Sequence, residues 1–267
     1  MSRIGLVAGE GKLPVVFSKI ARARGDTVIG FGIKGITSDE LERHVEKMHW
    51  VRWGDLKKAI FLLVTERIKD IVMLGKIKKE ILFKEEEKLD DDAKKVVGVV
   101  RDKKDYAILN GVTKALAVAG IQVISPAAYL KDLIPVKGVL TRRGPTAAEE
   151  KDIEYGKEVA LTLSRFDIGQ TTVIKEKTVI TVEAAEGTDE TIKRAGALTG
   201  GGFTVVKMAR PDQDMRLDVP LVGVETIKAV ADAKGSVVAL EAGKTLLLDR
   251  EDAVKLADDK GISIVIV

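Results

Sequence analysis

The sequence predicts an α/β protein in two parts, and three observations carry that prediction. Short apolar runs alternate with amphipathic segments through the first half, which favours a parallel sheet with covered faces. An aperiodic stretch with two prolines, "LKDLIPVKGVLTRRGPTAAEE" (130–150), then marks a boundary. Beyond it the alternation resumes, now with adjacent β-branched runs, so the second sheet is expected to be mixed.

In chain order, "RIGLVA" (3–8) reads as a strand and "PVVFSKIARARG" (14–25) as a helix, with Pro14 in its first turn and Gly25 as its stop. "TVIGFGI" (27–33) and "MHWVRW" (48–53) are strands, "DLKKAIFLLVTERIK" (55–69) a helix and "DIVMLG" (70–75) a fourth strand. The run "KEEEKLDDDAKK" (84–95) reads as a solvated loop or helix face. A helix over 105–120 leads into "IQVIS" (121–125), which completes a Rossmann-like series. The second half opens with a helix over 145–166. A hairpin follows over 171–184, broken at Lys175-Glu176-Lys177. Next come a helix (188–198), a strand (203–209) and a helix (224–235). Strands in "SVVAL" (236–240) and "KTLLLD" (244–249) precede a closing helix and strand in 250–267.

Composition narrows the chemistry. The 267 residues are 45% hydrophobic and 32% charged, with 44 basic against 41 acidic side chains, so no excess charge draws the chain to nucleic acid. Aromatics at 4% are too sparse for a base-stacking surface. The absence of cysteine excludes disulfides and thiolate zinc and fits a reducing compartment. "MSRIGLVAGEGK" lacks the h-region of a signal peptide, and no run approaches the roughly 20 apolar residues of a membrane span. A cytoplasmic protein is expected.

The glycine loop "GLVAGEGKLP" (5–14) fails both familiar phosphate motifs. A P-loop would need glycine at Leu6 and a hydroxyl at Leu13; a dinucleotide fingerprint would need glycine at Pro14 and an acid after the second strand, where Phe31-Gly32-Ile33-Lys34 stands. What remains is an anion site built from Gly9, Gly11 and Lys12 at a helix N-terminus, or simply a tight turn. Lys76, Lys78 and Lys79 follow the fourth strand, where ligands of open α/β sheets bind. In "VEAAEGTDE", Glu183, Glu186 and Asp189 recur every three residues around Gly187, with Thr188 able to cap the next helix. Such oxygens suit Mg²⁺, and the same spacing also describes a plain capping turn. Asp218 lies alone in the apolar "MRLDVPLVG" and must be exposed or paired. Asp167, Gly169 and Gln170 form a turn that could read a base or a sugar, or merely stop a helix. His44 and His49 lack carboxylate company, and no nucleophilic triad is present.

Together, "GLVAGEGKLP", "LGKIKK", "RFDIGQTTVI", "VEAAEGTDETIKRAG" and "DMRLDVPLVGVETI" resemble, in order, the motifs of the LpxI-type UDP-2,3-diacylglucosamine pyrophosphatases of lipid A biosynthesis. The resemblance spans nearly the whole chain. It implies hydrolysis of UDP-2,3-diacylglucosamine to lipid X and UMP with Mg²⁺, or another divalent cation such as Mn²⁺. It also implies an N-terminal domain over 1–132 and a C-terminal catalytic domain over 137–267, with the lipid in a cleft between them and a hinge about 131–144. Asp218 matches the essential acid of the family's R-x-D-x-P motif, and Asp189 the acid of E-G-T-D. Asp218, Asp189 and Glu186 are the expected metal ligands. Gly9, Gly11, Lys12, Lys76, Lys78, Lys79, Arg165, Asp167, Gly169, Gln170, Gly187 and Thr188 are the expected substrate contacts. The sequence departs from relatives at Lys76 and the lysine pair after it. The resemblance carries no nucleic-acid role, implies transient contact with the inner membrane surface, and leaves a homo-oligomer open. A different nucleotide-sugar hydrolase and a non-catalytic lipid or nucleotide carrier are the rival readings.

Overall fold

A computed structural model describes residues 1–77, 81, 88–99, 105–166, 168–211 and 213–267. The chain forms two compact units, Met1–Lys131 with Asp214–Asp218, and Asp132–Gln213 with Val219–Val267.

The first unit runs β1 (Arg3–Ala8), α1 (Leu13–Ala23), β2 (Thr27–Ile33), a 3₁₀ turn at Asp39–His44, β3 (Lys47–Val51), α2 (Leu56–Thr65), β4 (Asp70–Leu74), α3 (Asp91–Val99), α4 (Asp105–Val118), β5 (Gln122–Val123) and α5 (Ala127–Leu130). Its strands are all parallel in the order β3-β2-β1-β4-β5, a Rossmann-like half. Ala8 stands opposite both Gly32 and Leu74, so three neighbouring strands end level and deliver their following loops to one edge.

The sequence explains the packing. Leu13, Phe17 and Ala21 recur every four residues on α1 and are buried. Gly30 and Gly32 share one face of β2, because a Cβ there would lie 2.5 Å from the Met48 sulfur or 2.8 Å from Trp50 Cζ3. The described part of the charged run is helical from Asp91. Lys88, Lys94 and Lys95 are exposed there, and Asp90 Oδ1 accepts the Ala93 N–H at 2.7 Å as its cap. The rest of that run, 84–87, lies outside the described residues.

The second unit runs β6 (Gly138–Val139), α6 (Ala147–Ser164), β7 (Thr171–Lys175), β8 (Thr178–Val182), α7 (Thr188–Thr199), β9 (Thr204–Lys207), β10 (Leu221–Val222), α8 (Val224–Asp232), β11 (Val237–Leu240), β12 (Leu246–Leu247), α9 (Arg250–Lys260) and β13 (Ser263–Ile266). The main sheet has the order β6-β13-β11-β9-β7-β8 and is mixed, as the adjacent β-runs predict: β9, β11 and β13 are parallel, while β6 and β7 run against their neighbours. "KTLLLD" yields only Leu246–Leu247, paired with β10 in a separate two-stranded sheet. Helix α6 begins at a capping box: Thr146 Oγ1 accepts the Glu149 N–H, and Glu149 accepts the Thr146 N–H at 2.7 Å.

One departure from a division by sequence matters. Residues Asp214–Asp218 leave the second half of the chain and belong to the first unit. Leu217, 7% exposed, buries in one cluster with Ile29, Phe31, Leu63, Ile71 and Leu116. The expected boundary at 137–267 treats this excursion as part of the C-terminal domain, because an isolated leucine in an aperiodic stretch gives no sign of its distant partners.

Candidate active site

In the first unit the glycine loop is stitched to the loop after β4. Gly9 N–H donates to Leu74 O and Glu10 N–H to Lys76 O, both at 2.8 Å, while Lys76 N–H returns to Glu10 O at 2.9 Å. A Cβ on Gly9 would stand 2.7 Å from Lys76 O, and one on Gly75 2.7 Å from the Gly9 carbonyl carbon. Gly9 is therefore a glycine because two backbones cross there. Gly11 differs: its φ is +108° and a Cβ would meet nothing within 4 Å. The Thr37 hydroxyl donates to Ala8 O and accepts the Ile33 N–H, locking the ends of β1 and β2. Lys12 is the N-cap residue of α1, and both Lys12 and Lys76 are exposed. Lys78 and Lys79 lie outside the described residues.

In the second unit, the "RFDIGQT" and "VEAAEGTD" segments meet at Glu183. Gly169, with φ +57°, lies against the Glu183 carbonyl so closely that a Cβ could not fit. The Gln170 N–H donates to Glu183 Oε2 at 3.3 Å and the Thr188 hydroxyl to Oε1 at 3.0 Å. Lys207, 7% exposed at the end of β9, donates from Nζ to Thr188 Oγ1 at 2.8 Å and Thr171 Oγ1 at 3.4 Å, with Glu183 Oε2 at 3.9 Å. Burial pushes the Glu183 carboxyl up, but the Lys207 ammonium, the threonine hydroxyls and the Gln170 N–H outweigh it and hold the group below its ordinary value. All of this sits where β8 and β9 end and α7 begins, the ligand edge of an α/β sheet.

Thr188 does not cap α7. The cap position is Gly187, at φ +84° and ψ 174°, and no side-chain cap bond forms there. The Thr188 hydroxyl is instead held between Lys207 and Glu183. Asp189, exposed in the first turn of α7, accepts the Thr226 hydroxyl at 3.1 Å, which ties the starts of α7 and α8 together. Glu186 is ion-paired with Arg194 at 2.7 Å. Arg165 is the exposed C-cap of α6, and Asp167 lies outside the described residues. Asp218 is half-buried in the excursion into the first unit, its N–H donating to Asp214 O at 3.1 Å. Beside it Asp214 and Arg216 are paired at 2.7 Å. Among the described residues no group of three or more His, Asp or Glu side chains is arranged to hold a metal ion.

Lys207 is the residue that sequence reasoning missed. Its signal is visible in "FTVVKMA": a lysine inside a buried strand must find partners, and so points to a polar cluster.

Family models now meet this geometry. That of the LpxI N-terminal domain matches residues 3–133 and that of the LpxI C-terminal domain residues 136–265. The chain belongs to the LpxI family. A relative named UDP-2,3-diacylglucosamine pyrophosphatase LpxI, from Caulobacter vibrioides, is 29% identical over 98% of this chain and 96% of its own length. Among solved structures, N5-carboxyaminoimidazole ribonucleotide synthetase from Thermotoga maritima aligns at 12% identity over 70% of this chain and 42% of its own. Its TM-score of 0.28 supports no statement about this chain.

Proposed function

We infer that the chain hydrolyses the pyrophosphate bond of UDP-2,3-diacylglucosamine, releasing 2,3-diacylglucosamine 1-phosphate and UMP in lipid A biosynthesis. The observation that carries this is end-to-end family membership: both LpxI domains match, and the Caulobacter relative aligns over nearly its whole length. No helix among the described residues is long and apolar enough to cross a membrane, so a diacylated substrate would be collected in transient contact with the inner membrane surface.

Phosphoanhydride hydrolysis requires a positioned water, charge neutralisation on the non-bridging oxygens and a stabilised leaving phosphate. Asp218 and Asp189 are proposed as the catalytic carboxylates, able to orient the water and accept its proton as the new P–O bond forms. A divalent cation, Mg²⁺ in this proposal, would supply charge neutralisation when bound. Asp189 fits as a donor, being exposed with a hydroxyl as its hydrogen-bond partner. Glu186 fits less well, because Arg194 is already paired with it. Partial desolvation pushes its carboxyl up, but its own backbone N–H, then Arg194 and Thr191, outweigh that and hold it below the ordinary value. Gly11, Lys12 and Lys76 are proposed to meet the nucleotide or phosphate end.

The test is UMP release from UDP-2,3-diacylglucosamine with Mg²⁺, compared with UDP-GlcNAc. The diacylated compound should be turned over and the simple nucleotide sugar should not. Asp218→Ala should lower turnover about a thousandfold, the order of magnitude of one lost transition-state contact at about 4 kcal/mol. Near wild-type turnover would remove Asp218 from the mechanism.

A further inference from the structure

Lys207 and Glu183 form an expensive pair. A lysine and a glutamate are taken out of water at the end of a strand, and their charges stand 3.9 Å apart with no direct hydrogen bond between them. Replacing a buried pair of this kind with neutral side chains of similar volume often costs little stability. Fold stability alone therefore gives weak reason for it.

What the pair does locally is specific. Thr188 Oγ1 receives a hydrogen bond from Lys207 at 2.8 Å and gives its own proton to Glu183 at 3.0 Å, so its orientation is fixed from both sides. The other Glu183 oxygen takes the Gln170 N–H at 3.3 Å. Lys207 also reaches the Thr171 hydroxyl at 3.4 Å, next in sequence to Gln170. Two charged side chains thus fasten together the entry of β7, the end of β9 and the first residue of α7. Asp189 is the next residue along. With a glycine before Thr188 at φ +84°, the backbone there has no side chain of its own to hold it.

We propose that Glu183 and Lys207 are a positioning pair, fixing the Gly187–Asp189 turn and the Gln170 backbone in the pose that hydrolysis requires. The proposal rests on the pyrophosphatase reading. In this proposal neither residue contacts the substrate: Glu183 acts through Thr188 and Gln170, and Lys207 through Thr188 and Thr171. Glu183→Gln removes the charge and leaves one carbonyl oxygen to accept the Gln170 N–H, its NH2 facing the Thr188 hydroxyl. Lys207→Met removes the ammonium at similar volume and frees that hydroxyl to accept.

The experiment compares wild type with the double variant E183Q/K207M, which leaves no unbalanced buried charge. Its melting temperature should stay within about 3 °C of wild type. Its kcat for UMP release should nonetheless fall at least about tenfold, with KM changed less than about threefold. Amide hydrogen exchange over residues 183–190 should speed up while the rest of the unit is unchanged. Recovery of kcat to within about twofold of wild type, or unchanged exchange in that segment, would overturn the proposal. If the double variant does not fold, Glu183→Asp, which keeps the charge balance and withdraws the carboxylate from Thr188 and Gln170, is read by the same two measurements. Absence of UMP release by wild type would count against the pyrophosphatase reading, and exchange would then judge the pair on its own.

Discussion

The two sheets finish their carboxyl edges by different means. In the first unit backbone meets backbone: Gly9 and Gly75 pass so closely that neither can carry a Cβ, and four residues exchange main-chain hydrogen bonds across the gap. In the second unit side chains do the fastening, through Glu183, Lys207, Thr171 and Thr188. A backbone crossing depends on the absence of atoms, whereas a charged cluster depends on the balance of two charges. The two edges should therefore fail to different insults.

The largest effect is expected from unbalancing the charged edge. Lys207→Met alone leaves Glu183 buried without its cation and should destabilise the second unit by about 3–5 kcal/mol, read by urea unfolding. Restoring Glu183→Gln beside it should recover most of that loss. If the single and double variants are equally unstable, the charge balance is not what holds this edge.

At the backbone edge, Gly75→Ala should cost about 2–3 kcal/mol, since the added methyl meets main chain that cannot rotate away and the residue sits at φ +97°. Gly11→Ala, also at positive φ but with open space around it, should cost about 1 kcal/mol, from backbone strain alone. Equal losses at the two positions would mean that the crossing contributes nothing beyond its dihedral angles.

This contrast also explains what the sequence made legible. The strands of both sheets are readable because β-branched and apolar runs of the right length end at glycines and charges, as in Arg3–Ala8 and Thr27–Ile33. Gly9 was visible as a special residue, but its partner Gly75 is 66 residues away and no local pattern links them. Leu217 is hidden for the same reason, buried against residues from the other half of the chain. β6 and β10 are two residues each, too short for any period to register, and β12 is read from "KTLLLD" but is shorter than that run. The acids of "VEAAEGTD" were legible as a group. Their division into a partly buried Glu183, an Arg-paired Glu186 and an exposed Asp189 depends on Lys207 and Arg194, which arrive from β9 and α7.

A smaller effect separates the edges of the first unit from each other. At its amino end, Glu66 gathers Arg3 at 2.8 Å, Lys47 at 2.5 Å and His49 at 2.8 Å. Hydrogen bonds from Lys47 and His49, aided by Arg3 and opposed by burial, hold its carboxyl at about 2 instead of the ordinary 4.5. The depressed value means that this contribution is fully present above pH 4.5 and is lost as pH falls through about 2. Glu66→Gln should cost about 1–2 kcal/mol at neutral pH and flatten the acid limb of stability between those values. An unchanged acid limb in the variant would assign that pH dependence to other carboxylates.

The smallest effect tests the second unit far from its charged edge, at the β7–β8 turn. Glu176 and Lys177 occupy φ +51° and +57°, a conformation that two-residue hairpins normally assign to Asn-Gly. The strain is tolerated because the buried Asp152 of α6 accepts both turn N–H groups, at 3.0 Å from Glu176 and 2.7 Å from Lys177. Changing the pair to Asn-Gly removes the steric conflict and keeps both donors, so it should stabilise the unit by about 0.5–1 kcal/mol. Because Asp152 lies on the opposite flank of β7 from the Glu183 cluster in sequence and contact, kcat should not move with this gain. A stabilised protein with lowered turnover would show that the hairpin and the charged edge are coupled, and that the polar cluster is not the local device its hydrogen bonds describe.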